Sequence, residues 1–366
     1  MKISNHGAVL NSDEITTLLD HLLEGNNYSL PVCIWGPHGV GKTELVKEYC
    51  KAKGWNFAYC APAQFEEMGD LHGMPEICSS NNDPSSKVTK YIPPEWIPVS
   101  KGPGILLLDD VNRAEDRILR GLMQLFQTGG LFSWKLPPGW KIVCTANPDN
   151  GLYSVTTLDD AMITRMFHCS MEFNAKNWAV WASENGIDRR GIDFVLTYPE
   201  SVTGKKTTAR TLVQFFKLIS SIPDLKKEII KVGIIAAGLL DDTTVSSFLS
   251  FVREELQEMI SPEEILNAKY KTDIEFLILK TLKGKDGHIR VDRISTLCDR
   301  LLIYLNSGEY KFNEIHRDNL AKFIGIDGIP KDIKTRLGME ISKITGLEAR
   351  KLLKNKAIAN ILLASL

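Results

Sequence analysis

The sequence lacks the features that mark secreted, zinc-stapled and membrane proteins. Its seven cysteines are odd in number and widely spaced, with no CxxC pair and no His spacing suited to zinc, so we expect reduced, mostly buried thiols. The first residues contain no apolar signal segment, and the longest uncharged apolar stretch, Val232–Leu240, is far too short to span a bilayer. These absences predict a soluble cytoplasmic protein without a membrane partner.

An excess of charge of one sign is also missing. The 44 Lys and Arg residues nearly balance the 45 Asp and Glu residues, and a net charge of −1 gives no overall attraction to nucleic acid or anionic lipid. The balance is uneven along the chain, since the last hundred residues carry roughly +7 and the remainder roughly −8. All seven tryptophans lie between Trp35 and Trp181, outside the basic region. A solvated helical face is therefore favoured there over a nucleic-acid surface.

Apolar sequence is plentiful enough for a large core. The chain has 366 residues, 43% hydrophobic and 24% charged, which allows two or three domains and argues against global disorder. In the first half, short apolar runs typical of buried strands alternate with amphipathic helical stretches such as Thr43–Lys53 and Asp116–Gln127. The runs are Pro31–Trp35, Asn56–Cys60, Ile105–Leu108, Lys141–Ala146 and Met166–Phe173. This alternation predicts an α/β fold, a parallel sheet covered by helices on both faces.

After about residue 173 the strand pattern gives way to helical stretches broken by turns. The polar interruption Pro75–Pro103 is too long for an ordinary connection and predicts an inserted element. Leu131–Leu136 and Trp140–Cys144, separated by Pro and Gly, predict a hairpin. We therefore expect an αβα core over residues 1–172, a helical segment over 173–275 and a C-terminal helical extension over 276–366, the last boundary falling near 265–285.

One segment has the spacing of a phosphate-binding loop. It runs Gly36-Pro37-His38-Gly39-Val40-Gly41-Lys42-Thr43. It follows an apolar strand and opens a helix, which is the context expected for the pattern GxxxxGK[ST]. The glycines let backbone N–H groups wrap around phosphates, Lys42 would neutralise the β- and γ-phosphate oxygens, and Thr43 would hold Mg²⁺. The segment predicts a nucleoside triphosphate site, and the lack of an NKxD guanine-specificity segment favours ATP.

A second motif follows further along the chain. The apolar run Ile105–Leu108 ends in two carboxylates, Asp109 and Asp110. Because ligands of open α/β sheets bind at the carboxyl ends of the strands, these acids are expected beside the phosphate loop. Asp109 would reach Mg²⁺ through water, and Asp110 would orient and polarise the attacking water.

Together the two motifs resemble those of AAA+ ATPases, and within them the MoxR-type branch of the clade with an insert in helix 2. Asp109–Ala114 (DDVNRA) is similar to the DEINRA segment of that branch, and Glu67–Gly73 is similar to the stretch before its insert. The resemblance covers roughly residues 8–215. It implies a P-loop αβα sandwich with a helical lid over 173–275, and it leaves the all-α C-terminal extension unmatched.

The resemblance implies three further site residues. Asn147 corresponds to the sensor-1 residue, which positions the lytic water. Arg165 corresponds to the arginine finger, which would stabilise charge on the γ-phosphate held by a neighbouring subunit. Arg210 occupies the sensor-2 position, although Ala209 stands where the family usually has Pro. An arginine at the start of a helix opposes the helix dipole unless it has an anionic partner, and bound ATP would be that partner.

The resemblance also implies a mode of action. An arginine finger that acts on a neighbour implies a homo-oligomeric ring, which we expect to be a hexamer. The implied activity is ATP hydrolysis coupled to remodelling or activation of a protein client, for which a von Willebrand factor A-domain protein is a candidate. Asp110 is one methylene shorter than the family's catalytic Glu, so we expect modest turnover. Two alternatives stay open: a nucleic-acid-dependent motor or restriction-type NTPase, and a nucleotide-gated scaffold with little turnover.

Overall fold

A computed structural model gives the architecture of the chain in two units. The residues that it describes are 2–24, 30–79, 87–149, 155–202, 206–253, 260, 262–268, 290–306, 314–326 and 329–343. One unit comprises Met1–Phe173 with Thr208–Arg210, and the other comprises Asn174–Thr207 with Thr211–Leu366.

A seven-stranded sheet organises the first unit. Together with those of two smaller sheets, the strands of this unit are β1 (Lys2–Ser4), β2 (Gly7–Leu10), β3 (Val32–Trp35), β4 (Asn56–Cys60), β5 (Met74–Ser79), β6 (Lys87–Ile92), β7 (Gly104–Leu108), β8 (Gly130–Leu131), β9 (Trp134–Lys135), β10 (Trp140–Ala146) and β11 (Phe167–Met171). The order in the sheet is β1-β2-β11-β3-β10-β7-β4, and every pairing is parallel except that of β1 with β2. Ala146 pairs with Trp35 and Cys144 with Leu108, so β3, β7 and β10 end at one edge of the sheet.

Helices cover both faces of this sheet. Those of the first unit are α1 (Ser12–Leu23), α2 (Lys42–Lys53), α3 (Met68–His72), α4 (Asp116–Thr128) and α5 (Asp160–Ile163). Side chains alternate along a strand, so Ile105 and Leu107 of β7 enter the core that contains α1 and α2, whereas Leu106 and Leu108 enter the core that contains α3 and α4. These four residues are fully buried, which is why the strand appears in the sequence as an uninterrupted apolar run.

Two small two-stranded sheets accompany the main one. β5 pairs antiparallel with β6 inside the predicted inserted element, of which residues 80–86 lie outside the described residues. β8 pairs with β9 around the turn at Phe132, whose φ is 48°. The predicted hairpin of Leu131–Leu136 with Trp140–Cys144 is therefore wrong. Trp140–Ala146 is instead a central parallel strand, because its mostly buried side chains are covered on both faces of the sheet.

The described part of the chain after Phe173 is helical. Its helices are α6 (Ala175–Glu184), α7 (Arg189–Thr197), α8 (Ala209–Ile219), α9 (Ile229–Leu239), α10 (Asp242–Arg253), α11 (Pro262–Asn267), α12 (Val291–Asn306), α13 (Glu314–Ile324) and α14 (Lys331–Lys343). Phenylalanines from α7, α8 and α10 pack together, with ring centroids of Phe248 lying 5.0 Å from Phe194 and 4.8 Å from Phe215. A separate apolar core is built from α11–α14.

The predicted α/β class, with its P-loop sandwich and helical C-terminal region, is confirmed. The division at residues 172 and 275 stays a prediction, and residue 275 lies outside the described residues. Among the described helices, none has both the length and the apolar character needed to cross a membrane.

Candidate functional site

The predicted phosphate loop lies between β3 and α2 at the carboxyl edge of the sheet. Gly39 and Gly41 have φ values of 68° and 110°, a backbone region that side chains disfavour. A Cβ atom on Gly39 would lie 2.5 Å from Oγ1 of Thr208, so space and backbone both require glycine there. The Gly36 N–H donates to the Ala146 carbonyl oxygen at 3.1 Å, which ties the loop to β10. Pro37 and His38 are half-buried, and Val40 is buried.

The Lys42 ammonium is held inside the loop. Its side chain is 6% exposed, and Nζ donates to the carbonyl oxygens of Gly36 at 2.7 Å and Pro37 at 3.2 Å. It also donates to Oδ1 of Asn147 at 3.1 Å. Burial lowers the pKa of Lys42 to about 8, against the opposing charges of Asp110 and Asp109. The charged ammonium of Lys42 is therefore destabilised by burial, and a bound anion would stabilise it.

Asp109, the first carboxylate after β7, collects three hydroxyl donors. Its Oδ1 accepts from Thr43 Oγ1 at 2.8 Å and from Thr145 Oγ1 at 2.6 Å, and its Oδ2 accepts from Tyr59 OH at 3.2 Å. Adjacent hydroxyl and carboxylate oxygens are the ligands that Mg²⁺ takes when phosphates and water complete its shell, so Thr43 and Asp109 fit that ion. No group of three or more His, Cys, Asp or Glu residues suited to a metal occurs among the described residues.

Asp110 lies in a left-handed backbone conformation, with φ 49° and ψ 45°. Its N–H donates to Thr145 Oγ1 at 2.8 Å, so one hydroxyl binds both neighbouring aspartates. Its Oδ1 accepts from Asn147 Nδ2 at 2.8 Å, and Oδ2 lies 3.5 Å from Arg113 Nε. The conformation turns the chain away from β7 and directs the carboxylate toward the loop that follows β10.

Asn147 is fully buried and joins the carboxylates to the phosphate loop. Its amide oxygen accepts from Lys42, while its amide nitrogen donates to Asp110. Its backbone is clamped by Asn112, whose Nδ2 donates to the Asn147 carbonyl oxygen at 2.7 Å and whose Oδ1 accepts from the Asn147 N–H at 3.0 Å. A side chain fixed in this way is pre-organised to hold a polar group between Lys42 and Asp110.

The two predicted arginines lie outside this hydrogen-bonded cluster. Arg165 follows α5 and is half-buried, and its guanidinium donates to the Ala161 carbonyl oxygen within the same turn. Arg210 is exposed at the start of α8, and its N–H donates to the Gly39 carbonyl oxygen at 3.1 Å. Thus the backbone of Arg210 contacts the phosphate loop, whereas the guanidinium of Arg165 contacts the turn that precedes it.

Three residues of the cluster had no role in the sequence prediction: Thr145, Asn112 and Tyr59. Thr145 stands two residues before Asn147 on an apolar strand, and a lone hydroxyl there was the one available signal. Asn112 lies within the DDVNRA segment, in which the sequence prediction gave roles only to Asp109 and Asp110. Tyr59 gave no signal, because its contact with Asp109 depends on β4 pairing with β7.

Comparison with known proteins gives one family and several distant structures. Residues 31–166 match the family model described as AAA domain (dynein-related subfamily). Among solved structures, the chain is similar to the Thermotoga maritima RuvB Holliday junction branch migration motor, with 16% identity over 69% of this chain and 74% of that one and a TM-score of 0.39. It is also similar to NtrX from Brucella abortus, with 14% identity over 67% and 68% of the two chains and a TM-score of 0.38. No curated protein sequence gave a significant match.

The family match covers the segment in which the geometry is concentrated. It begins just before β3 and ends after Arg165, so it includes the phosphate loop, the two aspartates and Asn147. It supports the predicted AAA+ ATPase and does not distinguish a MoxR-type branch within it. Residues 31–166 of this chain thus match the AAA domain family, whose members are nucleotide hydrolases in general.

Proposed function

We propose that the chain binds ATP with Mg²⁺ and hydrolyses it in an oligomeric ring that remodels or activates a partner protein. The observation that carries this proposal is the hydrogen-bonded cluster of Lys42, Thr43, Asp109, Asp110 and Asn147 beside the phosphate loop. Thr145 makes the cluster continuous, because its hydroxyl contacts both aspartates. The cluster combines a phosphate cradle, a set of hard oxygen ligands and a carboxylate base within one set of contacts, which is what phosphoryl transfer to water requires.

The phosphate loop and Lys42 would bind the phosphates of ATP. Backbone N–H groups of residues 36–43 and the N-terminus of α2 face the phosphates, and Lys42 exchanges its carbonyl partners for phosphate oxygens. Thr43 and Asp109, whose oxygen atoms are adjacent, would hold Mg²⁺. Bound there, the ion would offset negative charge on the phosphate oxygens, including the charge that builds on the leaving-group oxygen.

Hydrolysis then depends on the pair of Asp110 and Asn147. Asp110 accepts a hydrogen bond from the attacking water and takes its proton, while Asn147 fixes where that water sits relative to Lys42. In the ligand-free geometry Asp110 Oδ1 accepts from Asn147 Nδ2, so this contact has to open or share the water. Together with the shorter side chain of Asp110, it supports modest rather than fast turnover.

The proposed ring and client involve contacts beyond a single subunit. Arg165 would complete the site of a neighbouring subunit, Arg210 would sense the nucleotide from the start of the lid, and a hexamer is the ring that the MoxR-type resemblance implies. Changes between nucleotide states would then move a protein client, with a von Willebrand factor A-domain protein as the first to try.

The test measures binding and turnover separately. Lys42→Ala should abolish binding of a fluorescent ATP analogue, whereas Asp110→Asn should bind it and lose turnover by about 100-fold or more. The matched controls Lys51→Ala and Asp116→Asn change exposed residues of α2 and α4 and should match the wild type. Turnover in Asp110→Asn equal to that of the wild type would overturn the assignment of Asp110.

A nucleic-acid-dependent motor is the second candidate, favoured by the basic last hundred residues. Their excess of roughly +7 is of the size that binds phosphate backbones, and such binding weakens steeply with salt. Stimulation of turnover by DNA that collapses between low and moderate salt would favour the motor. A third outcome, tight ATP binding and ring assembly with no turnover in the wild type, would identify a nucleotide-gated scaffold.

A further inference from the structure

A side-chain relay runs from the strand before the phosphate loop to the turn that carries Arg165. Trp35 is the last residue of β3, directly before Gly36, and is 3% exposed. Its indole Nε1 donates to Nδ1 of His168 on β11 at 2.9 Å. Nε2 of His168 lies 2.7 Å from the carbonyl oxygen of Ile163, the last residue of α5.

The chemistry of the indole fixes the state of the histidine. An indole N–H can only donate, so Nδ1 of His168 must be the unprotonated acceptor. Nε2 therefore carries the hydrogen and donates it to the Ile163 carbonyl oxygen. Both ring nitrogens are used, in one tautomer, between two fixed partners. The imidazole of His6 stacks on the indole of Trp35, with ring centroids 3.7 Å apart and planes 7° from parallel. This contact restrains the indole from one face.

The far end of the relay needs such a support. α5 has four residues, too few to be stable by its own hydrogen bonds. Its start is capped by Asp159, whose carboxylate accepts from the Met162 N–H at 2.7 Å. Its end is held by His168 through Ile163. Arg165 follows two residues later and bonds back to the same turn through Ala161 and Met162. The direction of Arg165 therefore depends on the end that His168 holds.

We propose that Trp35 and His168 are positioning residues that align Arg165 with the strand leading into the phosphate loop. The inference rests on the proposed role of Arg165 at a neighbour's nucleotide and adds how that role is supported. In a ring, the relay connects the nucleotide site of one subunit, through Gly36 and Trp35, with the arginine that the same subunit offers to the next. Neither residue touches the reacting atoms.

Variants with a graded loss of the relay test the inference. His168→Phe keeps an aromatic side chain and removes both hydrogen bonds. Turnover should therefore fall about tenfold, with nucleotide binding unchanged. His168→Gln, whose amide can accept and donate, should recover part of that loss, and Trp35→Phe should lower turnover in the same way. His21→Phe changes an exposed histidine on α1 and should have no effect.

A mixing experiment separates positioning of Arg165 from damage to the nucleotide site. His168→Phe subunits are diluted into an excess of Lys42→Ala subunits, which cannot bind ATP but carry an intact Arg165. Turnover per His168→Phe subunit should then rise to within about twofold of wild-type subunits diluted in the same way, as it should for Arg165→Ala. Hydrogen exchange at residues 160–166 should be faster in His168→Phe and unchanged in His21→Phe.

Several results would contradict the positioning of Arg165 by His168. One such result starts from Arg165→Ala having low turnover that mixing restores. If His168→Phe then has wild-type turnover, or has low turnover that mixing does not restore, the relay does not position Arg165. Unchanged hydrogen exchange at residues 160–166 in His168→Phe would contradict the proposal independently of any ring. If Arg165→Ala has wild-type turnover, the proposed role of Arg165 fails, and the inference fails with it.

Discussion

At the scale of single residues, Thr145 is the junction of the two carboxylates. Its hydroxyl donates to Asp109 and accepts from the Asp110 N–H, and the side chain is fully buried. Thr145→Val keeps the shape, removes one of the three donors to Asp109 and leaves the Asp110 N–H without its hydroxyl partner. We therefore expect a loss of about 2 kcal/mol in the free energy of unfolding and about tenfold in turnover. Urea unfolding and a steady-state ATPase assay measure the two effects.

Two companion variants sharpen this prediction. Thr145→Ser restores the hydroxyl and should recover most of both losses. Thr17→Val changes an exposed threonine of α1 and should leave turnover as in the wild type. Wild-type turnover in Thr145→Val would show that the aspartates hold their positions without this hydroxyl.

The buried ammonium of Lys42 predicts a pH dependence of ATP binding. Its pKa is lowered to about 8, with desolvation by burial as the largest cause. The charged form is the one that binds phosphate. ATP affinity should therefore be full below that pH and fall as pH rises through it, by up to about tenfold per pH unit. Titrations with a fluorescent ATP analogue from about pH 7.5 to 9.5 measure it.

The controls for this prediction lie on the same helix. Lys42→Arg cannot deprotonate in this range, so its affinity, whatever its level, should not vary with pH. Lys51→Ala removes an exposed lysine and should keep the wild-type slope. A flat profile in the wild type would mean that the pKa of Lys42 is not lowered.

At the scale of elements, the start of α1 is set by a local capping interaction, which the strand pattern in the sequence did not reveal. Asn11 caps the helix, accepting from the N–H groups of Asp13 and Glu14, while the Glu14 carboxylate accepts from the Asn11 N–H at 2.9 Å. This capping box starts a helix whose Ile15 and Leu19 are fully buried against the sheet.

Asn11→Ala should therefore lower the free energy of unfolding by about 1 kcal/mol. Asn11→Ser, which can still cap, should lower it by much less, and circular dichroism during denaturation can distinguish the two. Equal stability of Asn11→Ala and the wild type would mean that packing alone sets the start of α1.

At the scale of the whole molecule, a buried ion pair joins helices of the predicted lid and extension. Arg300 Nε on α12 lies 2.9 Å from Asp193 Oδ1 on α7, with 6% and 1% of the side chains exposed. In the described part of the chain, both carboxylate oxygens of Asp193 and Nη1 of Arg300 are buried and have no partner in hydrogen-bond geometry, so the 2.9 Å approach is an ion pair without a well-aligned hydrogen bond. The pair therefore makes an ordered contact between α7 and α12 at a high desolvation cost.

Breaking one half of this pair should cost more than removing both. Arg300→Met leaves a buried carboxylate without its counter-charge and should lower the free energy of unfolding by about 3–5 kcal/mol, whereas Asp193→Leu with Arg300→Met should recover most of it. Arg317→Met, in a pair whose Glu314 is 91% exposed, should cost under about 1 kcal/mol. An equal loss in the single and double variants would exclude the pair as the cause.

The sequence by itself determined the parts whose signals are local. The α/β class follows from uninterrupted apolar strands such as Ile105–Leu108, and the phosphate loop from its glycines and its place between β3 and α2. Asp109 and Asp110 could be placed near that loop because strand ends share an edge. The hairpin at Leu131 could not be predicted correctly, since the pairing partner of Trp140–Ala146 lies far away in the chain.

Only the tertiary structure decided which side chains meet. Thr145 with Asp109, Asn112 with Asn147, and Trp35 with His168 are separated by 36, 35 and 133 residues, and each pair forms because β3, β7, β10 and β11 are neighbours in one sheet. Sequence spacing fixes contacts along a strand or a helix, where geometry repeats. Contacts across strands depend on the order and register of the sheet, which are set by packing of the whole unit.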